Sequence, residues 1–260
     1  MAELGLLGIA YPEEDGGVGA DSISEAIAVE EITYGCTATG SILTAHYLGI
    51  DGLYLAANPE QRKKYLVPGC QGENLFAFCL TEPNGGTDVA SMKTTAKLVG
   101  DKYVINGSKI FITNGAYADT LVVYAKTDTS KGSKGISAFI VEKNTPGLSF
   151  DDGDDKMGIR GARTFEVIFD NCVIPKENLL GNEGEGFKIA MTVVDRGRIG
   201  IAAMAIGLSQ AALDEAVKYS KEREAFGSSI SNFQGLQWMM AEMETDLAVG
   251  RLYTYYAASL

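Results

Sequence analysis

The apolar residues of this chain change their spacing twice, from helical to strictly alternating and back, and this constrains the fold more than any motif. A chain so patterned reads as an α+β multidomain protein, with a β unit set between two helical ones. From Met1 to about Tyr65 the period is helical. Leu4, Leu6, Leu7 and Ile9 lead into a loop at 12–19. A helix follows with Asp21 or Ser22 as its cap and Ile23, Ala26, Ile27, Val29 and Ile32 on its apolar side. A second apolar run covers 42–57, and Asn58-Pro59-Glu60 restarts a helix with proline in its first turn. From about Leu75 to Pro175 the period is two. Tyr103-Val104-Ile105 and Lys109-Ile110-Phe111-Ile112 flank Asn106-Gly107, which reads as a tight hairpin turn because both residues tolerate positive φ. Further strands at 121–125, 136–141 and 165–169 point to a compact barrel or sandwich rather than βαβ units.

After Pro175 helical spacing returns. A glycine-rich loop at 181–186 precedes one long helix, 187 to about 223. A second starts near Ser231 or Asn232, carries Leu236, Met240, Met243 and Leu247 on one side, and is still in progress at Leu260. Two long amphipathic helices cannot bury both stripes by themselves, since a bundle usually has four. The expectation is therefore an internal fragment: a partial helical domain at 1–74, a central β-barrel domain at 75–180 and a truncated helical bundle at 181–260.

The formal charge of −12 argues against nucleic acid, which needs a basic face, and requires that any anionic ligand be met by local Arg, Lys or backbone N–H groups. Cys36, Cys70, Cys79 and Cys172 form no C-x-x-C pair, and three of them sit in apolar or strand-like surroundings. With His46 as the one histidine, a His-based metal site is not expected. No run is long and apolar enough to span a bilayer, and the start shows no signal-peptide pattern, so a reducing, cytoplasmic setting fits. Neither G-x-G-x-x-G nor G-x-x-x-x-G-K-[ST] occurs, which removes the Rossmann and P-loop nucleotide sites.

Phe78-Cys79-Leu80-Thr81-Glu82-Pro83-Asn84-Gly85-Gly86-Thr87-Asp88 carries more chemistry. A short apolar strand runs into a small-residue loop that offers backbone N–H groups, hydroxyls and a carboxylate together, as a polar, partly anionic cofactor requires. Gly107-Ser108-Lys109-Ile110-Phe111-Ile112-Thr113-Asn114-Gly115 repeats the idea. With Lys156-Met157-Gly158-Ile159-Arg160, Val173-Ile174-Pro175-Lys176-Glu177-Asn178-Leu179-Leu180-Gly181, Gly186-Phe187 and Arg223-Glu224-Ala225-Phe226-Gly227 in this order, the whole chain resembles the acyl-CoA dehydrogenase family of flavoenzymes, nearest its short-chain, butyryl-like branch.

The resemblance implies FAD as cofactor, with Phe78, Leu80, Thr81 and Thr87 in the strand and loop along the flavin. Phe111 would stand against the flavin face, followed by Ile112, and Thr113 near its N5. It places Arg223, Phe226 and Gln234 across a subunit interface, on the diphosphate and adenosine of a neighbouring subunit's FAD, which suits the planar fork of Arg. Thr87, Ser133, Asp195 and Arg198 are the implied contacts to acyl-CoA. Asp195 and Arg198, one helical turn apart, also read as a plain intrahelical ion pair. The implied assembly is a homotetramer, a dimer of dimers, which passes electrons to an electron-transfer flavoprotein. No catalytic base is identified: the majority position lies beyond Leu260, and the minority position is occupied by Gly197. The fragment alone is therefore expected to lack dehydrogenase activity. His46 reads as a core or interface residue. Kept beside this are an enoyl-CoA reductase or alicyclic acyl-CoA dehydrogenase of the same fold, and a non-catalytic flavin- or CoA-binding module.

Overall fold

The computed structural model describes residues 1–260. Helix α1 (Ser22–Gly35) is capped as its sequence predicts: Asp21 Oδ1 accepts from the Ser24 amide at 2.7 Å. Its buried residues are Ala26, Val29, Glu30 and Thr33, which leaves Ile27 exposed, contrary to expectation. The face is turned by Glu30, which accepts from Arg251 Nε at 2.8 Å and Tyr255 Oη at 2.7 Å. Helix α2 (Thr37–Ala56) follows. Asn58 then forms a reciprocal cap with Gln61, at 2.9 and 3.0 Å, and Pro59 opens α3 (Pro59–Gln61). A π turn (Arg62–Leu66) joins it to α4 (Val67–Gln71).

Eight strands follow in one mixed sheet: β1 (Phe76–Cys79), β2 (Thr95–Val99), β3 (Lys102–Thr113), β4 (Thr120–Lys126), β5 (Ile136–Glu142), β6 (Leu148–Phe150), β7 (Thr164–Pro175) and β8 (Leu179–Leu180). Their order is β6-β7-β3-β2-β4-β5-β8, with β1 parallel to β4. The expected barrel does not close, because β6 and β8 remain free edges. Closure is unnecessary because helices cover one face. Val122, Tyr124, Ile136, Ala138 and Ile140 share a core with α1, α2 and α5 (Gly186–Glu222). The opposite face, with Leu121, Val123, Phe139 and Val141, meets Tyr103, Ile105, Val167 and Phe169 as the sheet curls over a second core. Tyr103 and Phe139 stack edge-to-face there at 4.9 Å.

The Asn106-Gly107 hairpin is also corrected. β3 runs unbroken through that dipeptide, and its pairing with β7 shifts register between Ile105 and Gly107, a β-bulge. Gly107 has φ +141°, and a Cβ there would lie 2.5 Å from Thr94 Oγ1, so a close strand approach sets the need for glycine. The β2–β3 turn falls at Gly100-Asp101, after the pair Val99–Lys102, with Gly100 at φ +63°.

α5 begins one residue before its expected start and ends in a short hairpin, β9 (Glu224–Ala225) with β10 (Ser228–Ser229), before α6 (Gln234–Ala258). Of the stripe expected on α6, Leu247 is buried while Met243 is exposed. No helix is long and apolar enough to cross a membrane. α5 crosses α1 at Gly207, where a Cβ would sit 2.2 Å from the Glu30 carbonyl oxygen. Gly207→Ala is expected to cost about 1–3 kcal/mol by forcing the helices apart. Gly235→Ala, in a helix with open space around it, serves as the control and should be neutral or stabilising in thermal unfolding. Equal melting temperatures for the two variants would refute the crossing argument.

Candidate active site

The two chemistry-bearing segments lie side by side. Beyond β1 the chain continues along β3, and the Thr81 carbonyl accepts from the Ile110 amide at 2.9 Å. The Phe78 ring packs on Tyr124 with centroids 5.1 Å apart. Beneath this junction is an ion pair closed off from solvent. Lys109 Nζ lies 2.7 Å from Glu82 Oε1 and donates to the Leu80 carbonyl at 3.1 Å. Glu82 also accepts from the amides of Lys93 at 2.6 Å and Thr94 at 3.1 Å. One carboxylate therefore ties the Thr81 loop to the start of β2 and the second half of β3. Burial pushes the Lys109 ammonium down against the pull of Glu82. Burial acts to raise the Glu82 carboxyl, but Lys109 and the amides together hold it below the usual range.

A second register shift in β3, between Lys109 and Ile112, turns Phe111 out of the sheet. Phe111 takes φ +58° and leaves its ring 64% exposed. A left-handed aromatic with an exposed ring costs of order 1–3 kcal/mol, strain of the kind that clusters at functional sites. Asn114, at φ +66°, pins the end of β3 by donating to the carbonyls of Ile42 (3.1 Å) and Phe76 (3.3 Å). Leu80 and Ile112 both point their side chains into cores, so only their backbone groups can face a cofactor. Thr81 and Thr113 are half-buried.

Thr87 is exposed just before the 3₁₀ turn Val89–Ser91, which packs against the turn Thr129–Gly135 that carries Ser133. Asp195 and Arg198 do form the intrahelical pair, at 3.3 Å and well exposed, where such a pair contributes little to stability. Arg223, by contrast, is exposed and forms no ion pair. It opens a hairpin whose tip is Phe226, 99% exposed at φ +55°, with its ring 6.3 Å from Phe233 and next to Gln234, the first residue of α6. This cluster stands apart from Phe111. α2 and α5 meet where Thr44 Oγ1 lies 3.3 Å from Met204 sulfur, two residues along α2 from Ile42, whose carbonyl Asn114 holds. From Met204, α5 runs about 28 Å further before reaching Arg223.

His46 is wholly buried. Nε2 bonds the Gly69 carbonyl at 3.2 Å and Nδ1 accepts from the Phe76 amide at 3.2 Å, which fixes the Nε2–H tautomer and joins α2, α4 and β1. It is a core residue, as its sequence context suggests. Gly197 offers no base: even a Cβ there would lie 2.5 Å from Leu48 Cδ2. Sequence reading overlooked Glu82 and Lys109 as partners. Lys109 occupies an inward position of β3 in line with Tyr103 and Ile105, and an inward lysine demands an acid.

The exposed aromatics and the unpaired Arg223 suit a flat ligand with an anionic tail, and FAD fits these two patches in that sense. Comparison with known proteins agrees. The N-terminal, middle and C-terminal domain models of acyl-CoA dehydrogenase match residues 1–73, 77–172 and 184–260. A short-chain specific acyl-CoA dehydrogenase of Clostridium acetobutylicum is 50% identical over the whole chain, which spans 69% of it. An acryloyl-CoA reductase (NADH) of Anaerotignum propionicum is 47% identical over the whole chain, which spans 66% of that protein. A chain in the solved structure of the electron transferring flavoprotein of Acidaminococcus fermentans superposes with TM-score 0.98 at 54% identity, covering 100% of this chain and 69% of that one.

Proposed function

The chain belongs to the acyl-CoA dehydrogenase family, and we propose that it supplies the FAD- and substrate-binding framework of an enzyme that dehydrogenates a short-chain acyl-CoA to its trans-2-enoyl thioester. The observation that carries the reading is the Thr81–Ile110 hydrogen bond with the strained, exposed Phe111 beside it. FAD held between these strands would supply the hydride acceptor for the β-hydrogen of the thioester. The chain's own residues prepare for this. Phe78, Leu80 and Thr81 line one strand, Phe111, Ile112 and Thr113 the other, and the Thr81 and Thr113 hydroxyls supply polar contacts at the ring edge. The exposed Phe111 ring excludes water from the reacting atoms. Thr87 and Ser133, on adjoining turns, and Asp195 with Arg198 hold the CoA portion. Arg223, Phe226 and Gln234 reach the FAD of a neighbouring subunit in a homotetramer, a role their distance from Phe111 supports.

Electrons pass to an electron-transfer flavoprotein, a reading supported by the 54% identity to a chain in a structure of such a protein. The 47% identity to an acryloyl-CoA reductase supports a second reading, the same chemistry run toward reduction of an enoyl-CoA. Four free thiols suit a cytoplasmic setting.

The test is retention of flavin. The purified protein is expected to carry FAD, released on denaturation, and Phe111→Ala is expected to weaken its binding about tenfold, about 1.4 kcal/mol. Arg223→Ala should weaken it only where subunits associate. A colourless protein whose melting temperature neither FAD nor butyryl-CoA shifts would overturn the proposal.

A further inference from the structure

A cavity of about 70 Å³ lies between α1, α2 and α5, walled by Thr44, Leu48, Gly197 and Gly200, with Glu25, Asp51 and Arg196 at the end toward α1. It belongs to the flavin side of the molecule. Thr44, Leu48 and Asp51 succeed one another along one face of α2, starting two residues after Ile42, whose carbonyl is held by Asn114 at the end of β3. The opposite wall is glycine, and a Cβ at Gly197 would lie 2.5 Å from the tip of Leu48, narrowing the cavity. The wall between Thr44 and Gly200 is thus largely apolar, and the far end, toward α1, is charged and partly open to solvent, with the Arg196 side chain 38% exposed.

That far end is incompletely satisfied. Asp51 is 4% exposed and accepts from Tyr11 Oη at 3.0 Å. Arg196 Nε approaches the same oxygen at 2.9 Å, but its N–H is not directed at it, so this buried donor has no hydrogen-bond partner. The guanidinium is held from behind by the Tyr54 ring, 5.6 Å away. Glu25 takes part in no ion pair, because Arg196 is committed to Asp51. Burial raises its carboxyl to about 7, with the Asp51 charge adding and Arg196 opposing. Two acids thus face one cation. A third carboxylate brought in by a ligand would meet repulsion, and a methyl group would strand the Arg196 donor. A hydroxyl answers both groups, since its oxygen accepts from Arg196 Nε while its proton goes to the Glu25 carboxylate.

We infer that this cavity receives the far end of the acyl chain, and that Glu25 and Arg196 select a thioester whose tail bears an uncharged hydroxyl. This rests on the acyl-CoA reading above. A site built to hydrogen-bond a substrate hydroxyl discriminates against the analogue lacking it far more than an apolar pocket discriminates one methylene.

The test is calorimetric titration of the flavin-loaded protein with four- and six-carbon thioesters ending in methyl, hydroxyl or carboxylate: butyryl-, 4-hydroxybutyryl- and succinyl-CoA, then hexanoyl-, 6-hydroxyhexanoyl- and adipoyl-CoA. At one length or the other, the hydroxyl thioester is expected to bind at least tenfold tighter than its methyl partner, with the carboxylate weakest. Glu25→Leu and, independently, Arg196→Met should abolish that preference while alkyl thioesters still bind. Methyl and hydroxyl thioesters of equal affinity at both lengths, or a carboxylate that binds tightest, overturns the inference and leaves the acyl-CoA reading standing. Failure of all six to bind overturns both.

Discussion

Lys109→Met lowers the stability of this protein by about 3–5 kcal/mol, because it strands the Glu82 carboxylate in the interior without its cation. Glu82→Gln should cost a similar amount for the converse reason: its single amide oxygen keeps the bond from either the Lys93 or the Thr94 amide, which now reach different carboxylate oxygens, and the buried ammonium is left unpaired. The double variant removes both charges and keeps one of the two acceptor oxygens, so it should recover much of the loss. The coupling, read from urea unfolding of all four proteins, is then of the order of the single-site cost itself. Additive losses, or single variants that cost less than about 1 kcal/mol, would contradict the role given to this pair. The effect reaches the site. Lys109 Nζ also bonds the Leu80 carbonyl, one residue before the Thr81 carbonyl that meets Ile110. Loosening the pair lets the two strands separate, and FAD retention should fall in both single variants and return in the double.

That pair also shows what the sequence could convey. The helical regions were legible because caps and period act locally. Asp21 and the Asn58–Gln61 box need only their neighbours, and α1, α3 and α5 begin within a residue or two of the predicted starts. β4 and β5 were legible as apolar runs, but not that both their faces are buried, since a run of Leu121-Val122-Val123 does not say which element covers which side. The open sheet followed from that. Asn106-Gly107 is turn chemistry in any local reading, and only the approach of Thr94 makes it a bulge. In the candidate site, the flavin-side strands could be named from their motifs, whereas the Lys109–Glu82 pair and the Glu25–Asp51–Arg196 group join residues far apart in the chain. No local pattern announces such meetings.

His46 supplies the second large effect, and it is a pH dependence. Burial lowers the imidazole to about 4, while an unfolded chain binds its proton near 6.5. Between these values the unfolded state carries a proton that the folded state refuses, so the contribution is intact above about pH 6.5 and declines as the pH falls toward 4. Over the full interval it amounts to about 3 kcal/mol, at 1.36 kcal/mol per pH unit. Glu25 works in the opposite sense across much of the same range. Its folded value is raised to about 7, so its contribution is present below its unfolded value and lost as pH rises. The wild-type slope is therefore a sum of opposed parts, and the difference between wild type and His46→Gln isolates the imidazole. A glutamine can serve Gly69 or Phe76 but does not bridge both as the ring does, so the variant should be less stable at pH 7 by about 1–3 kcal/mol. That deficit should shrink on acidification, because only the wild type loses stability through His46. Urea unfolding at pH 7.5, 6.5 and 5.5 reads the trend directly. Parallel curves for the two proteins would mean that the ring takes up its proton inside the fold, which the bond that Nδ1 accepts from the Phe76 amide opposes in the Nε2–H form.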